Sequence, residues 1–227
     1  MSNNFQKKIY SEFHSNFFDK MINKKRSEIV EIINEFIANK NLHDVLDIGT
    51  TDDDQNISSN IIIKNLKHLK VFKSISNQNI NMKLFSECLN KSITDDFTEK
   101  EIEIFSSDLV ISNATIEHVG NYENQLKMIE NVIKLCKKYF IIITPNRYYP
   151  IEFHSKLPLI HWFPKKIHRF LLSLFKQNFL SLEENLNLLS KKDFKEFMKK
   201  LNFNNYELRT IRFLLFNSNL ILIGSKN

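Results

Sequence analysis

The sequence of 227 residues predicts an α/β fold built on a mostly parallel sheet. Two observations predict it. Short apolar runs alternate along the chain with segments whose apolar residues recur at helical spacing, which is typical of strands joined by helices. The last two apolar runs follow each other with no helical segment between them, which predicts an antiparallel hairpin at one edge of the sheet. The length fits one domain with a substantial core.

The first half of the chain supplies a leading helix and three strands. Residues 27–37 place isoleucines on one helical face and glutamates on the other, so they predict an amphipathic helix. Residues 43–49, HDVLDIG, form a continuous apolar run that is typical of a strand buried on both faces. A helix over 58–69 and strands over 70–76 and 82–89 follow. Because so few residues separate the last two strands, we expect no full helix between them.

The second half continues the alternation and ends in the predicted hairpin. Ser190 and Asp193 form a capping pattern at the start of its last helix, and lysines occupy the last turn of that helix. Cys136 falls on an apolar helical stripe, so we interpret it as a core residue. The predicted elements are a strand over 107–113, a helix over 126–136, a strand over 137–146, a helix over 190–201, and strands over 206–213 and 219–225.

The candidate binding residues follow the strands, because ligands of such sheets bind outside the carboxyl ends of the strands. Gly49 is the only glycine in the first 119 residues, and it ends the first strand. Glycine permits a tight turn and a close approach of a ligand to the backbone. The alternative is that Gly49 only shapes the turn and Asp47 caps the next helix. Residues 50–54, TTDDD, match neither a dinucleotide-binding fingerprint nor a P-loop.

Three stretches carry a resemblance to a known family: VLDIGTTDD at 45–53, SSDLVISNATIEHVGN at 106–121, and IITPNRYYPIEFHSKLPLIHWFP at 142–164. In this order they resemble the class I S-adenosylmethionine-dependent methyltransferases, and the third is similar to a bacterial subgroup of unassigned substrate. The resemblance covers about residues 40–227. It implies a Rossmann-like methyltransferase three-layer sandwich, with a mostly parallel seven-stranded sheet that has an antiparallel edge strand.

The same resemblance implies a domain organisation. A helical lead-in would occupy residues 1–40, and the methyltransferase domain would occupy residues 41–227. A helical lid or insert would lie within that domain at about 147–189. S-adenosylmethionine would be the cofactor and S-adenosylhomocysteine its product.

The resemblance also implies which residues hold this cofactor. Asp47 and its neighbours would contact the methionine end, Asn113 and its neighbours would lie beside the sulfonium, and Asp95 or Asp96 would receive the adenine amino group. For that acid, a solvated loop position is the alternative. The glycine-rich loop is reduced to one glycine, and neutral side chains replace the usual ribose-binding acid after the second strand, which weakens the expected binding. The predicted cofactor-binding residues are Asp47, Gly49, Thr50, Thr51, Ser76, Asn77, Asp95, Asn113 and Ala114.

The candidate catalytic residues are Glu117, His118 and His154. Methyl transfer from a sulfonium is an in-line displacement, which needs a base only where the acceptor must lose a proton. His118 follows the fourth strand and can act as a base near neutral pH, and the alternative is that it only packs or hydrogen-bonds there. We predict no metal, because prolines interrupt the histidines at 154, 161 and 168. Quinone-type methyltransferases that bind a divalent ion carry an acid where this chain has Ala114.

The insert is the predicted acceptor-binding segment, and it is strongly basic. Residues 147–176 hold six Lys and Arg against one Glu, interleaved with aromatic side chains. A lid or core helix, contact of residues 157–176 with an anionic membrane surface, and nucleic acid are the three alternatives. Nucleic acid ranks last because the chain carries no recognised binding motif. The predicted acceptor-site residues are Arg147, Tyr148, Tyr149, Glu152, Phe153 and Trp162.

The expected function is S-adenosylmethionine-dependent methyl transfer to a small-molecule, sugar or lipid-linked acceptor. The alternatives are an inactive cofactor-binding module and a peripheral membrane-associated protein. The two cysteines form neither a CxxC pair nor a disulfide framework, and no signal segment opens the chain, so we expect a cytoplasmic protein. The alternative is a cytoplasmic protein that contacts the inner membrane peripherally. The sequence leaves the oligomeric state open.

Overall fold

The computed structural model describes residues 16–53 and 59–226. The first fifteen residues of the predicted lead-in and the first residue of the predicted helix over 58–69 lie outside the described residues. A seven-stranded sheet forms the centre of the molecule. Its strands are β1 (Asp44–Ile48), β2 (Val71–Ser76), β3 (Glu87–Asn90), β4 (Ser107–Asn113), β5 (Cys136–Pro145), β6 (Tyr206–Phe213) and β7 (Phe216–Ser225).

The strand order β3-β2-β1-β4-β5-β7-β6 confirms the predicted sheet and its antiparallel edge. Strands β1 to β5 pair in parallel. Strand β7 runs antiparallel to both β5 and β6. The hairpin of β6 and β7 therefore forms one edge of the sheet, with β6 as the outermost strand and β7 next to it. The absence of a helix between β2 and β3 in the described residues also agrees with the prediction.

Helices cover both faces of the sheet, which confirms the three-layer sandwich. Alternate residues of the central strands point to opposite faces: Leu46 belongs to one apolar cluster and Val45 to the other. Helices α1 and α2 pack on the face of Val45, and α3, α4 and α7 pack on the face of Leu46. The helices are α1 (Asn16–Ala38), α2 (Ile61–Lys64), α3 (Glu99–Phe105), α4 (Tyr122–Leu135), α5 (Lys165–Leu174), α6 (Asn178–Ser181) and α7 (Lys191–Lys200).

Two elements are shorter than the sequence predicted. The helix expected over 58–69 is a single turn, because Asn60 adopts a left-handed φ of 55° before it and the Asn65 side chain donates to the Ile61 carbonyl after it. The strand expected from residue 82 begins only at Glu87. Met82 is buried as part of a loop, so its apolar side chain serves the core without strand pairing.

Helix α3 was not predicted. Thr98 and Glu101 form a capping box at its start, and this Thr-x-x-Glu pattern was the sequence signal that could have found it. The predicted capping box of Ser190 and Asp193 is present at the start of α7. Cys136 is buried in the core, as predicted, but it begins strand β5 and does not belong to the preceding helix.

The segment between β5 and α7 forms a small unit with its own apolar core. It contains a 3-10 turn at Ile160–Trp162, followed by α5 and α6. Leu172 and Leu180 pack in this core together with Leu186 and Leu188. Across the described part of the chain, no helix combines the length and the apolar character that crossing a bilayer demands.

Candidate functional site

The site begins at the point where the strand order reverses. Strands β1 and β4 are neighbours, while β2 continues the sheet on one side and β5 on the other. The chains leaving β1 and β4 therefore diverge and open a crevice at the carboxyl ends of these strands. Asp47 and Gly49 stand on one side of it, and Asn113 and Ala114 stand on the other.

Gly49 is required by its conformation and by a close neighbour. Its φ is 88°, and its N–H donates to the Ile75 carbonyl over 2.9 Å. A Cβ at this position would lie 2.1 Å from Oγ1 of Thr115, whose hydroxyl donates to the Ile48 carbonyl over 3.2 Å. Glycine is thus needed both to turn the chain and to let the segment after β4 approach it.

Asp47 is a buried acid with few polar partners. Its carboxylate accepts a hydrogen bond from the Thr50 hydroxyl over 2.6 Å, and the Ser74 hydroxyl donates to the Thr50 oxygen over 2.7 Å. Burial raises the pKa of Asp47 to about 6, and the Thr50 hydrogen bond offsets only part of this effect. Asp47 does not cap helix α2, whose N-cap is Asn60. A cationic ligand group would stabilise the ionised form of this acid.

The loops after β1 and β2 are tied together. Ser76 donates from its hydroxyl to the Thr50 carbonyl over 2.7 Å, and Thr51 is held by two-way hydrogen bonds with the Asn60 side chain. The side chain of Asn77 is exposed. An acidic side chain that we did not single out from the sequence, Asp52, reaches the second loop and accepts from the Asn81 N–H over 2.9 Å.

The remaining predicted cofactor residues lie at the ends of β3 and β4. Asn113 and Ala114 are half-buried, and Ala114 adopts a left-handed φ of 51° while its N–H donates to the Ile143 carbonyl. Asp95 is exposed. The Asn131 side chain fixes its loop by donating to the Asp95 carbonyl over 2.9 Å. The binding roles of these residues stay predictions.

The three candidate catalytic residues converge with Glu152 from the insert. Nε2 of His118 lies 3.1 Å from Nε2 of His154. The other ring nitrogen of His118, Nδ1, donates to the Asn185 carbonyl over 2.6 Å, and Nδ1 of His154 donates to the Glu152 carboxylate over 2.7 Å. Glu117 lies beside both rings, within 4.8 Å of their nitrogens.

Burial dominates the protonation of this cluster. It lowers the pKa of His118 to about 3, so this half-buried side chain is neutral at neutral pH, and it raises the pKa of Glu117. Burial would also raise the pKa of Glu152, but the charge of His154 holds it well below its usual range. Burial would lower the pKa of His154, but the charge of Glu152 and its hydrogen bond outweigh burial and raise this pKa. The cluster therefore contains an ion pair beside a neutral imidazole.

The other predicted acceptor-site residues occupy the wall of the insert. Arg147 donates to the carbonyl of His161 over 3.1 Å and to that of Phe163 over 2.7 Å, so it anchors the insert. Tyr149 is buried and stacks on Phe153 with ring centroids 5.1 Å apart. Tyr148 and Trp162 are exposed, at 52% and 42% of their surface. Of the predicted acceptor-site set, Glu152 alone joins the histidine cluster in the described structure.

The histidines at 154, 161 and 168 do not form one array. His161 and His168 face each other with ring centroids 6.2 Å apart, and His161 bonds to the Tyr149 carbonyl. His154 belongs to the cluster with Glu117 and His118, a grouping of potential metal ligands that we did not predict.

A shallow cavity of about 330 Å³ lies at the end of the sheet opposite the crevice. Its lining comes from the segment before β1 and from the start of β5, at the amino ends of these strands. Ligands of this kind of sheet bind at the carboxyl ends, so this cavity is separate from the crevice described above.

No protein-family model and no curated protein matches the chain. Solved structures, in contrast, do match the chain. Magnesium protoporphyrin IX methyltransferase (ChlM) from Synechocystis PCC 6803, with bound S-adenosylmethionine, matches at a TM-score of 0.53 and 13% identity, over 99% of this chain and 90% of that chain. N-methyltransferase NodS from Bradyrhizobium japonicum WM9, in complex with S-adenosylhomocysteine, matches at a TM-score of 0.56 and 7% identity, over 99% and 97%.

The small RNA methyltransferase HEN1 matches as well, at a TM-score of 0.54 and 13% identity, but over only 25% of that chain. At such identities the likeness concerns the fold and not the substrate. The strand order, the crevice beside Gly49 and these structures agree with the resemblance seen in the sequence. The chain has the fold of the class I S-adenosylmethionine-dependent methyltransferases.

Proposed function

We propose that this protein transfers a methyl group from S-adenosylmethionine to a small-molecule acceptor. The observation that carries the proposal is the placement of Asp47 and Gly49 at the crevice between β1 and β4. A bare backbone at Gly49 accommodates a ligand, and the buried carboxylate of Asp47 suits the α-ammonium group of the methionine end. The solved methyltransferases of the same fold with bound S-adenosylmethionine or S-adenosylhomocysteine support the choice of cofactor.

The chemistry is an in-line displacement at the sulfonium methyl group. Because the leaving group is already activated, positioning of the acceptor supplies up to roughly 7 to 11 kcal/mol of the barrier reduction. The acceptor would lie between the end of β4 and the insert, near His118 and His154. An acceptor hydroxyl or ammonium group would need a base. Burial lowers the pKa of His118 to about 3, so this imidazole is neutral but only weakly basic, and positioning carries the greater share of the proposed chemistry.

We also propose that the insert docks on an anionic membrane surface, which favours a lipid-linked acceptor. Helix α5 buries His168 and Leu172 and leaves Ile167, Phe170 and Leu174 exposed on its outer face, at 46%, 62% and 62%. Exposed lysines at positions 166 and 176 flank this apolar stripe. Apolar side chains bordered by lysines fit the headgroup region of anionic lipids. The protein would work in the cytoplasm at the inner membrane.

Calorimetric titration of the purified protein with S-adenosylmethionine and S-adenosylhomocysteine tests the cofactor. We expect micromolar binding to the wild type and its loss in Asp47→Ala, because the ammonium group would lose its counter-charge. Glu207→Ala is the matched control, since this exposed acid pairs with Arg209 on β6, at the edge of the sheet and away from β1 and β4, and its loss should leave binding unchanged. A wild type that binds neither compound contradicts the proposal.

The inactive-module alternative makes a different prediction. It expects binding of S-adenosylmethionine without transfer of a labelled methyl group to any fraction of a cell extract. Labelling of one fraction by the wild type, and its absence with Asp47→Ala, would support the enzyme.

A further inference from the structure

Two histidine nitrogens face each other across a contact that must hold either a proton or a metal ion. The Asn185 carbonyl only accepts hydrogen bonds, so Nδ1 of His118 must carry the hydrogen of their 2.6 Å contact. The Glu152 carboxylate likewise accepts from Nδ1 of His154. In the neutral rings both Nε2 atoms are then lone-pair acceptors, and they lie only 3.1 Å apart. This arrangement repels unless a positive charge lies between the two nitrogens.

Glu117 adds a third unused lone pair at the same place. The residue is fully buried, and one of its carboxylate oxygens accepts from the Thr144 hydroxyl over 2.9 Å. The other oxygen, Oε1, has no hydrogen-bond partner among the described residues. A buried polar atom without a partner is costly, so it needs a ligand.

The charge of the cluster also calls for a cation. Glu117 and Glu152 are both buried, and in the described part of the chain neither is paired with a lysine or an arginine. Among the described residues, the positive charge that faces both carboxylates is that of a protonated His154. A divalent cation bound by the two imidazoles would take the place of that proton beside Glu117.

We propose that Glu117, His118 and His154 bind a divalent transition-metal ion such as Zn²⁺. Two imidazole nitrogens on a Zn²⁺ ion lie about 2.9 to 3.4 Å apart, given Zn–N bonds of about 2.0 to 2.1 Å. The observed nitrogen separation of 3.1 Å falls within this interval. Two imidazoles and one carboxylate suit zinc or another first-row ion better than Mg²⁺ or Ca²⁺, which prefer oxygen ligands.

The outer contacts of the two histidines have the form that metal sites use. A metal-bound histidine usually donates its second N–H to a carboxylate or a backbone carbonyl, which fixes the ring and its tautomer. His154 does so with Glu152, and His118 does so with Asn185. Glu152 and Asn185 are therefore positioning residues of the proposed site.

The ion would join two distant parts of the chain. His118 follows β4 and His154 belongs to the insert, 36 residues later. Methyl transfer on this fold needs no metal, so the proposed ion is an addition that fixes the insert over the sheet. Its binding can be measured without S-adenosylmethionine, and failure of this proposal leaves the proposed methyl transfer untouched.

The test is metal binding by the full chain after dialysis against a chelator. We expect calorimetry to show one Zn²⁺ per chain, together with a higher melting temperature. Co²⁺ in its place should give visible d–d bands of a nitrogen and oxygen site, and Zn²⁺ should abolish them. A folded, metal-free wild type that binds neither ion stoichiometrically would overturn the proposal and would mean that a shared proton bridges the two rings.

Variants locate the site. His118→Ala and His154→Ala should each weaken binding by more than about 100-fold, and Glu152→Gln by about 10- to 100-fold, as expected for an outer contact. His43→Ala is the matched control, because this exposed histidine lies outside the cluster, and it should bind like the wild type. Equal affinity in all four variants would overturn the assignment. Because the Co²⁺ spectrum needs only the wild type, a variant that fails to fold does not decide the question.

Discussion

At the scale of single residues, Gly49 shows how one position can serve both the fold and the site. Its positive φ and its missing side chain admit Thr115, which in turn bonds to the end of β1. The sequence predicted the need for a glycine here, because the only glycine of the first 119 residues follows an apolar run. It did not predict Thr115 as the neighbour, since that contact joins segments more than sixty residues apart.

Gly49→Ala should lower the free energy of unfolding by about 2 to 4 kcal/mol, from backbone strain and the overlap with Thr115. Adding Thr115→Ala should restore part of this loss, because it removes Oγ1 and Cγ2, although the strain of φ 88° remains. Urea unfolding of both single variants and the double variant measures the coupling. Strictly additive losses would contradict a direct overlap.

At the scale of elements, local patterns sufficed wherever an element was long and regular. Strand β6 has the predicted bounds, and so does β4. Prediction was wrong for residues 82–86, where apolar side chains fill the core from a loop, and it missed α3, which is only seven residues long. In short segments, packing against the rest of the molecule decides the backbone, and an apolar pattern alone cannot distinguish a strand from a buried loop.

The exposed apolar face of helix α5 should mediate contact with membranes. Replacing Phe170 and Leu174 by glutamate should abolish flotation of the protein with phosphatidylglycerol vesicles, because two exposed apolar contacts become charges that anionic lipid repels. Binding of the wild-type protein to the vesicles should weaken at high salt, and it should also be weaker when the vesicles consist of neutral phosphatidylcholine. The control is Leu214→Glu with Leu215→Glu, a pair of exposed leucines on the β6–β7 turn. If the control variant also fails to float, α5 is not the docking surface.

At the scale of the whole molecule, the buried acid Asp47 links stability to pH. Its pKa of about 6 exceeds the ordinary value of 3.8, so the folded protein holds a proton that the unfolded chain releases between these values. Its contribution to the free energy of unfolding therefore grows as pH falls through about 6, and it reaches about 3 kcal/mol only below about pH 3.8.

Asp47→Asn should remove this gain. The wild type should therefore become more stable relative to the variant as the pH falls. Urea unfolding at pH 7.5 and pH 4.5 measures it. Asp96→Asn serves as the control, because the pKa of this exposed acid is lowered by Lys127 and its pH effect has the opposite sign. Parallel pH profiles for wild type and Asp47→Asn would contradict a buried, ionisable Asp47.

The sequence by itself determined the succession of strands and helices along the chain, the hairpin at the edge and the glycine after the first strand. These features follow from local apolar periodicity and from the conformational freedom of one residue type. Only the tertiary structure decided that Glu117 and His118 meet Glu152 and His154, and that α5 turns an apolar face to solvent. Such contacts depend on how segments far apart in the chain pack, because each helix or strand can satisfy its own pattern in more than one arrangement.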